Sequence, residues 1–305
     1  MTPENVTPES RESVDQTYRG LRAAMVLLVG LLAAAVVFEI VASALAGAVC
    51  LQPSISAYYY TPARPVFVAA LSAVGAGLII YRGTTPAENV LLDFAGFLAF
   101  IVSFVPTKIQ PDACDATNVP SAAEISSAIA NNVTAVLLIG VVAVAVSVWL
   151  GPGRYVGADG KLDASSRISA AVCLVALVGG IAVFLLFPRL FARYGHEISA
   201  TALFGCIVAV VLINANDASK KGGVEPTRRY HQWYRVIAYG MLLAVVGIGL
   251  TRWAIPGFTI WLFCVEATLI LGFGIFWVVQ SMELGGAVAR ESAEGAATTA
   301  AQTQR

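Results

Sequence analysis

Eight stretches of the sequence are apolar over nearly their whole length, and each is about as long as a helix that crosses a bilayer. A hydrocarbon core about 30 Å thick requires about 20 helical residues. Only 12% of the residues are charged, against about 25% in ordinary soluble domains. The runs do not alternate in polarity as the strands of a β-barrel would. We therefore expect an all-α, polytopic integral membrane helical bundle of about eight transmembrane helices. The predicted spans are Leu21–Val49, Pro65–Tyr81, Val90–Pro106, Val133–Leu150, Ile168–Phe187, Ile198–Ile213, Tyr234–Trp253 and Phe258–Ser281.

The basic residues between the spans predict the orientation. If both termini are cytoplasmic, fourteen lysines and arginines fall on the cytoplasmic side and five on the opposite side. Because cytoplasmic loops carry the excess of basic residues, we expect an N-in/C-in topology. The chain then consists of a cytoplasmic polar segment (1–20), an eight-helix transmembrane domain (21–283) and a disordered cytoplasmic tail (284–305). The net charge is zero, and the basic residues are spread among loops, so we expect no nucleic acid partner.

The five cysteines separate into two groups by position. Cys173, Cys206 and Cys264 lie inside apolar runs, where a thiol behaves as a small hydrophobic group. Cys50 and Cys114 lie in the first and second outer loops, where the oxidising side of the membrane favours a disulfide between them. Two unpaired interfacial cysteines are the alternative. No cysteine–histidine spacing is typical of a metal site, so we expect neither a metal nor a cofactor.

The end of the second outer loop has a helix-start pattern. Ser121 is followed three residues later by Glu124, which is the pattern of a capping box. Ile125, Ile129 and Val133 then recur at four-residue spacing. We expect a short interfacial helix that leads directly into the fourth span.

Three carboxylates lie within the predicted spans, where an ionisable group costs a few kcal/mol or more unless it is partnered or hydrated. Glu39 in the first span and Glu266 in the last lie about 13–15 Å below the outer surface at helical rise. They either form a protonatable site where the two helices meet, or are separate neutral acids with local hydrogen bonds. Asp93 lies near the inner end of the third span, where a helix-end or packing role is expected.

The loop after the first span is dense in hydroxyl groups. Consecutive tyrosines are typical of the aromatic belt at a membrane surface. The alternative is a clamp for an anionic or hydroxylated head group, to which arginine offers bidentate hydrogen bonds. The candidate ligand-binding residues on this outer face are Ser54, Ser56, Tyr58, Tyr59, Tyr60 and Arg64, joined by Arg189, Arg193 and His196 from the loop between the fifth and sixth spans.

Several segments resemble an uncharacterised group of bacterial multi-pass membrane proteins that share a SISAYYYT-type loop. More distantly, the chain resembles the DRAM-like family, which has an isoleucine–serine signature after the first span. The resemblance covers most of residues 50–279. It implies the helical architecture and a multi-pass location in the bacterial plasma membrane, and brings no activity. Its carriers are Ser54-Ile-Ser-Ala-Tyr-Tyr-Tyr-Thr, Val66-Phe-Val, Asp93-Phe-Ala-Gly, Val105-Pro-Thr, His196-Glu-Ile-Ser-Ala-Thr-Ala-Leu-Phe, Tyr234-Arg-Val-Ile-Ala-Tyr-Gly and Glu266-Ala-Thr-Leu-Ile-Leu-Gly-Phe-Gly-Ile-Phe-Trp.

A zinc-dependent membrane hydrolase is excluded by the histidine count. The alkaline ceramidase and progestin-receptor-like superfamily requires three histidines, an aspartate and a serine around zinc. This chain has two histidines, His196 and His231, which fall on opposite sides under the predicted topology. A three-histidine zinc site therefore cannot be built.

Three function hypotheses are compatible with the sequence. The first is a non-catalytic membrane protein whose outer pocket engages a lipid or envelope component, because no nucleophile–base–orienter set is present. The second is a small-solute or proton-coupled transporter that uses Glu39 and Glu266, although no internal repeat is evident. The third is a membrane-embedded hydrolase in which Ser54 or Ser56 pairs with His196. Neither the ligand nor the oligomeric state follows from the sequence.

Overall fold

The computed structural model describes residues 8–47, 51–109, 114, 120–150, 164–220 and 225–303. These residues form eight α-helices and a short 3-10 helix, and they contain no β-strand. The 3-10 helix covers Ser56–Tyr60. The α-helices are α1 (Pro8–Leu45), α2 (Arg64–Ile80), α3 (Pro86–Phe104), α4 (Ala122–Leu150), α5 (Ala164–Leu186), α6 (Pro188–Lys220), α7 (Glu225–Ala254) and α8 (Trp261–Thr303).

The helix lengths and apolar surfaces are those of a multi-pass membrane protein. Seven of the described helices are long and apolar enough to cross a bilayer, and α2 is a shorter apolar helix. Large apolar side chains cover the outside; Leu27, Trp149, Val175 and Leu243 are each at least 70% exposed. Because such surface is unfavourable in water, lipid is its solvent. The predicted polytopic helical bundle is confirmed.

Six helices form a closed ring, and two lie outside it. Around the ring α1 contacts α2, α2 contacts α3, α3 contacts α6, α6 contacts α7, α7 contacts α8, and α8 returns to α1. Apolar side chains from these helices fill the centre, among them Leu78, Leu92, Ile207, Phe276 and Trp277. Helix α4 packs on α3, and α5 packs on α3 and α6. Helices α4 and α5 are therefore peripheral.

Glycines bring α2 and α3 into close contact. A Cβ atom added at Gly75 would lie 2.8 Å from the backbone oxygen of Gly96, and one added at Gly96 would lie 2.5 Å from the oxygen of Gly75. Small residues at such positions allow helix backbones to approach in membranes, where van der Waals packing holds helices together. Gly75 and Gly96 therefore allow the backbones of α2 and α3 to approach each other closely.

Prolines and caps define several helix starts. Pro65 and Pro86 lie in the first turns of α2 and α3, where a missing N–H costs nothing. Thr85 caps α3 by accepting a hydrogen bond from the amide of Glu88 at 3.2 Å. The Ser121–Glu124 capping box is confirmed, since the Ser121 amide and hydroxyl donate to the Glu124 carboxylate at 2.7 and 2.8 Å. Helix α4 continues from there into the span.

Several helix boundaries differ from the sequence predictions, and three of the differences concern segments to which the sequence assigned another structure. Helix α1 begins at Pro8, within the segment expected to precede the bundle. The predicted span Ile198–Ile213 covers only the middle of α6, because this helix begins at Pro188 and includes the polar residues before Ile198. Helix α8 runs to Thr303, where we expected a disordered tail from residue 284.

Candidate functional site

The loop between α1 and α2 is folded into the bundle instead of lying on its surface. Ser54 is fully buried, and every residue of the 3-10 helix from Ser56 to Tyr60 is buried. The tyrosine rings of this helix pack with Leu32, Val36 and Phe67 in a separate apolar cluster. These side chains therefore do not form the exposed rim or head-group clamp that the sequence suggested.

Glu266 on α8 holds this loop in place. One carboxylate oxygen accepts a hydrogen bond from the Ser56 amide at 2.9 Å, and the other accepts from the Ser56 hydroxyl at 3.0 Å. The amide of Phe263, one turn earlier on α8, donates to the carbonyl of Pro53 at 2.9 Å. The Ser54 hydroxyl accepts from the amide of Ala57 at 3.0 Å. The carboxylate thus satisfies buried donors of the loop, as buried polar groups require.

Glu39 on α1 interacts with the same short helix electrostatically. Its side chain is half-buried and interacts electrostatically with Tyr58, two residues after Ser56. The phenol of Tyr58 accepts a long hydrogen bond from the amide of Gln52 at 3.4 Å. The pKa of Tyr58 is raised, mainly because its phenol is buried. Glu266 therefore binds this five-residue helix directly, whereas Glu39 interacts with it electrostatically.

The other two tyrosines connect the loop to its surroundings. Tyr60 donates to the carbonyl of Thr107 at 2.6 Å, which ties the loop to the end of α3. Burial raises the pKa of Tyr60 to about 12. Arg64 donates to the Tyr59 hydroxyl at 2.9 Å and lies 4.4 Å from the centre of its ring. Arg64 is half-buried.

The basic residues of the α5–α6 region lie in two environments. Arg189 and Arg193 are exposed near the start of α6, where they are accessible to a head group. His196 is 3% exposed, and its Nδ1 donates to the carbonyl of Val105 at 2.6 Å. His196 thus fixes α6 to the end of α3, and it is not contacted by Ser54 or Ser56 in any described interaction. The structure does not bring the proposed nucleophile and base together.

A cation–aromatic cluster at the start of α6 was not foreseen as a unit. We define it as Lys108, Arg193, Tyr194 and Glu197. The Lys108 ammonium lies 4.1 Å from the centre of the Tyr194 ring and 3.3 Å from a carboxylate oxygen of Glu197. The Arg193 guanidinium lies 5.3 Å from the same ring. The sequence signal was Tyr194 next to Arg193, but Lys108 comes from the distant α3–α4 segment.

A cavity of about 500 Å³ lies beside this cluster, among helices α3, α4, α5 and α6. Its volume falls in the range of about 300–1,000 Å³ that is usual for small-molecule pockets. Leu190, Tyr194 and Ile198 line it and are 38–66% exposed, so the cavity is open to the surface of the molecule. The other lining residues are almost all apolar: Phe94, Phe97, Leu98, Ile101, Val133, Leu137, Ala176, Leu177, Gly179, Gly180, Ile181, Val183, Phe184, Phe191, Gly195, Ser199 and Ala202.

Two of the residues that line the cavity are glycines of α5, Gly179 and Gly180. A Cβ atom added at Gly179 or Gly180 would meet no atom within 4 Å. By contrast, the glycine pair between α2 and α3 is in tight contact. Gly179 and Gly180 therefore leave space instead of bringing helices together.

The end of the bundle opposite the 3-10 helix contains a buried polar cluster that the sequence analysis missed. Glu88 is fully buried; its carboxylate accepts from the Thr84 amide at 2.7 Å and from the Asn214 amide group at 2.9 Å. The predicted sixth span ended at Ile213, but α6 continues past Asn214 to Lys220. Asp93, one turn after Asn89, is half-buried in α3. Glu88 ties α3 to α6 and closes the α2–α3 loop.

The disulfide prediction is only partly within the described residues. Cys114 is disulfide-bonded, and Cys173, Cys206 and Cys264 are free. Cys50 lies outside the described residues, so its pairing with Cys114 stays a prediction. The thiols of Cys173 on α5 and Cys206 on α6 are in hydrogen-bond contact.

Among the described residues, no group of three or more histidine, cysteine, aspartate or glutamate side chains is arranged to hold a metal ion. No protein-family model, curated protein or solved structure matches this chain. The resemblance to multi-pass proteins with a SISAYYYT-type loop, and to the DRAM-like family, therefore stays a prediction. The chain is a multi-pass helical membrane protein.

Proposed function

We propose that this protein is a non-catalytic membrane protein that binds an anionic lipid at its outer face. One acyl chain occupies the apolar cavity between α3, α4, α5 and α6. The head group lies at the cation–aromatic cluster formed by Lys108, Arg193, Tyr194 and Glu197. The observation that carries the proposal is the position of Tyr194, which lines the cavity and is also contacted by Lys108 and Arg193.

The apolar part of the site suits a hydrocarbon chain. An apolar cavity of about 150 Å³ already stays dry and takes up benzene. The present cavity has about 500 Å³ and an almost wholly apolar lining. In a membrane the molecules nearest to such an opening are lipid chains, so a chain is the occupant that the surroundings supply.

The polar part of the site suits an anionic head group. Lys108 and Arg193 provide two positive charges at the mouth, with Arg189 exposed nearby on the first turn of α6. Glu197 offsets one of these charges through its contact with Lys108. The net charge of the side chains at the mouth of the cavity is therefore positive. The Arg193 guanidinium can bind a phosphate through two hydrogen bonds.

Transport through Glu39 and Glu266 receives less support. Both oxygens of the Glu266 carboxylate accept hydrogen bonds from Ser56, and Glu39 lies beside Tyr58. A carboxylate that carries a proton or ion must exchange its partners during each cycle. The partners of Glu266 instead hold a buried loop, which favours a structural role.

Native mass spectrometry of the detergent-purified protein tests the proposal. We expect the wild type to retain added phosphatidylglycerol in preference to phosphatidylcholine, because only the first has a net negative head group. Arg193→Ala removes a positive charge at the mouth of the cavity and should abolish this preference. Arg252→Ala removes an exposed arginine in the last turn of α7 and should leave the preference unchanged.

A second pair of variants tests the cavity. Gly180→Leu adds a side chain at a residue that lines the cavity, and Gly247→Leu adds the same side chain at an exposed position of α7. At both positions an added Cβ would meet no atom within 4 Å. We expect lipid retention to be lost in the first variant and kept in the second. Equal retention of both lipids by the wild type and all four variants would refute the proposal.

A further inference from the structure

We infer that Ser199 recognises an ester carbonyl of the bound lipid, so that the ligand is an ester-linked glycerophospholipid. This inference rests on the proposed function and narrows the chemical class of its ligand. It depends on which polar groups line the cavity, on the hydrogen bonds of the Ser199 hydroxyl, and on the distance between Ser199 and the cation–aromatic cluster.

Ser199 is the polar residue deep in the wall of the cavity. Among the described residues that line the cavity, only Tyr194 and Ser199 have polar side chains. Tyr194 is 38% exposed and belongs to the cation–aromatic cluster at the mouth. Ser199 lies five residues further along α6 and is 8% exposed. Its hydroxyl therefore lies beside the path of a lipid chain, below the level of the head group.

The Ser199 hydroxyl has no partner within the described part of the chain. Hydroxyl groups inside helices commonly donate to the carbonyl one turn earlier. Thr201 donates in this way to Glu197 at 2.7 Å, and Thr268 donates to Cys264 at 2.8 Å. Ser199 makes neither this bond nor any other side-chain hydrogen bond to the described residues, and its oxygen is not enclosed by neighbouring atoms. Because Ser199 lines the cavity, its hydroxyl is accessible to a ligand there.

The distance from the cluster identifies the group that meets this hydroxyl. Ser199 follows Arg193 by six residues, which is about 9 Å along α6. With a phosphate at Arg193, the part of a glycerophospholipid at this depth is the end of the glycerol backbone, where the acyl chains are attached. An ester carbonyl at that point accepts a hydrogen bond from a serine hydroxyl. The spacing therefore matches a phosphate and an ester of one lipid molecule.

Other amphiphiles lack an equivalent acceptor at this depth. A free fatty acid has no oxygen below its carboxylate. A diether lipid has only ether oxygens there, which are weaker acceptors than a carbonyl. In the surrounding apolar wall a hydroxyl without a partner is unfavourable. The hydrogen bond to the ester should favour a diester lipid over its diether analogue about fivefold, equivalent to about 1 kcal/mol.

The experiment uses the full-length protein in detergent and a mixture of diester and diether phosphatidylglycerols with chains of equal length, read by native mass spectrometry. We expect the wild type to retain the diester lipid about fivefold in preference. Ser199→Ala removes the hydroxyl and should retain both lipids equally. Thr201→Val is the matched control, because it removes an exposed hydroxyl of α6 that bonds within its own helix and lies outside the lining. It should keep the preference.

The outcomes separate this inference from the proposed function. Equal retention of the two lipids by the wild type, or an unchanged preference in Ser199→Ala, would overturn the ester assignment. In either case a preference for phosphatidylglycerol over phosphatidylcholine, both diesters, would leave the proposed function in place. If Ser199→Ala also lost this head-group preference, the hydroxyl would act on the whole site, and the ester assignment would again fail. Loss of all phosphatidylglycerol from the wild type would overturn lipid binding itself.

Discussion

The hydrogen bonds between Ser56 and Glu266 should determine whether the 51–63 loop stays inside the bundle. Ser56→Ala removes the hydroxyl that donates to the carboxylate at 3.0 Å and leaves the backbone bond at 2.9 Å intact. A hydrogen bond of this kind contributes about 1–2 kcal/mol. For a chain of this size that corresponds to a fall in melting temperature of about 2–6 °C.

Glu266→Ala should be more damaging. It removes the acceptor of both the Ser56 amide and the Ser56 hydroxyl, which lie in a buried position. Each buried donor left unpaired costs about 1–3 kcal/mol, so the loss is about 2–6 kcal/mol. The loop should then leave the bundle in a fraction of the molecules, exposing its three tyrosines.

Two measurements check these expectations. Thermal unfolding of the detergent-purified variants gives the stability ranking, with the wild type highest, Ser56→Ala intermediate and Glu266→Ala lowest. Limited chymotrypsin digestion reports on the loop, because cleavage after Tyr58, Tyr59 or Tyr60 requires that the loop be accessible. We expect cleavage there to be slow in the wild type and fast in Glu266→Ala.

Thr268→Val is the matched control on α8. The Thr268 hydroxyl donates to the carbonyl of Cys264 at 2.8 Å within its own helix, so its removal leaves every interhelical hydrogen bond in place. The reasoning is refuted if Ser56→Ala and Glu266→Ala unfold at the same temperature as Thr268→Val and are digested no faster at the tyrosines.

Two further predictions concern other parts of the fold. Gly96→Ala should lower the melting temperature by several degrees, because the new Cβ would lie 2.5 Å from the Gly75 oxygen and the resulting overpacking costs about 1–3 kcal/mol; Gly140→Ala, where no atom lies within 4 Å, should not. Because burial raises the pKa of Tyr60 from 10.0 to about 12, its contribution to stability is complete below pH 10 and is lost as the pH rises through about 12. Melting temperatures measured from pH 8 upward should therefore fall less steeply in Tyr60→Phe than in the wild type; parallel curves would contradict this.

The helical spans could be predicted from the sequence because their signal is local. Long apolar runs, prolines in first turns and the Ser121–Glu124 capping box depend only on residues within a few positions of one another. The start of α6 was placed ten residues too late for the same reason. Arg189, Arg193 and His196 interrupt the apolar run, yet they lie on a helix that begins at Pro188.

The environment of the SISAYYYT-type loop could not be predicted, because it is decided by a residue on the last helix. Taken alone, its serines and tyrosines indicate a surface. The partner that makes burial favourable is Glu266, which is separated from Ser56 by 210 positions. The two features were each identified from the sequence, and only the fold shows that they are donor and acceptor of one contact.

The cavity could not be predicted from the sequence for a different reason: two of the residues that line it are glycines, whose structural role is not evident from sequence. A glycine in a membrane helix has two opposite uses, close packing or open space, and the pattern of the sequence is the same for both. Gly75 and Gly96 have neighbours that exclude a Cβ atom, whereas Gly179 and Gly180 have none within 4 Å. What distinguishes them is the surface that each glycine faces: Gly75 and Gly96 face each other across the α2–α3 contact, whereas Gly179 and Gly180 line the cavity. Helices α2 and α3 belong to the ring, so each must fit two neighbours, while the peripheral α5 packs on the ring from outside.

A gap inside the ring would lose packing contacts on all sides, but a gap beneath α5 is open to the membrane and can be filled by a lipid chain. The ring is therefore where this fold is held together, and the layer between the ring and α5 is where it has room to bind.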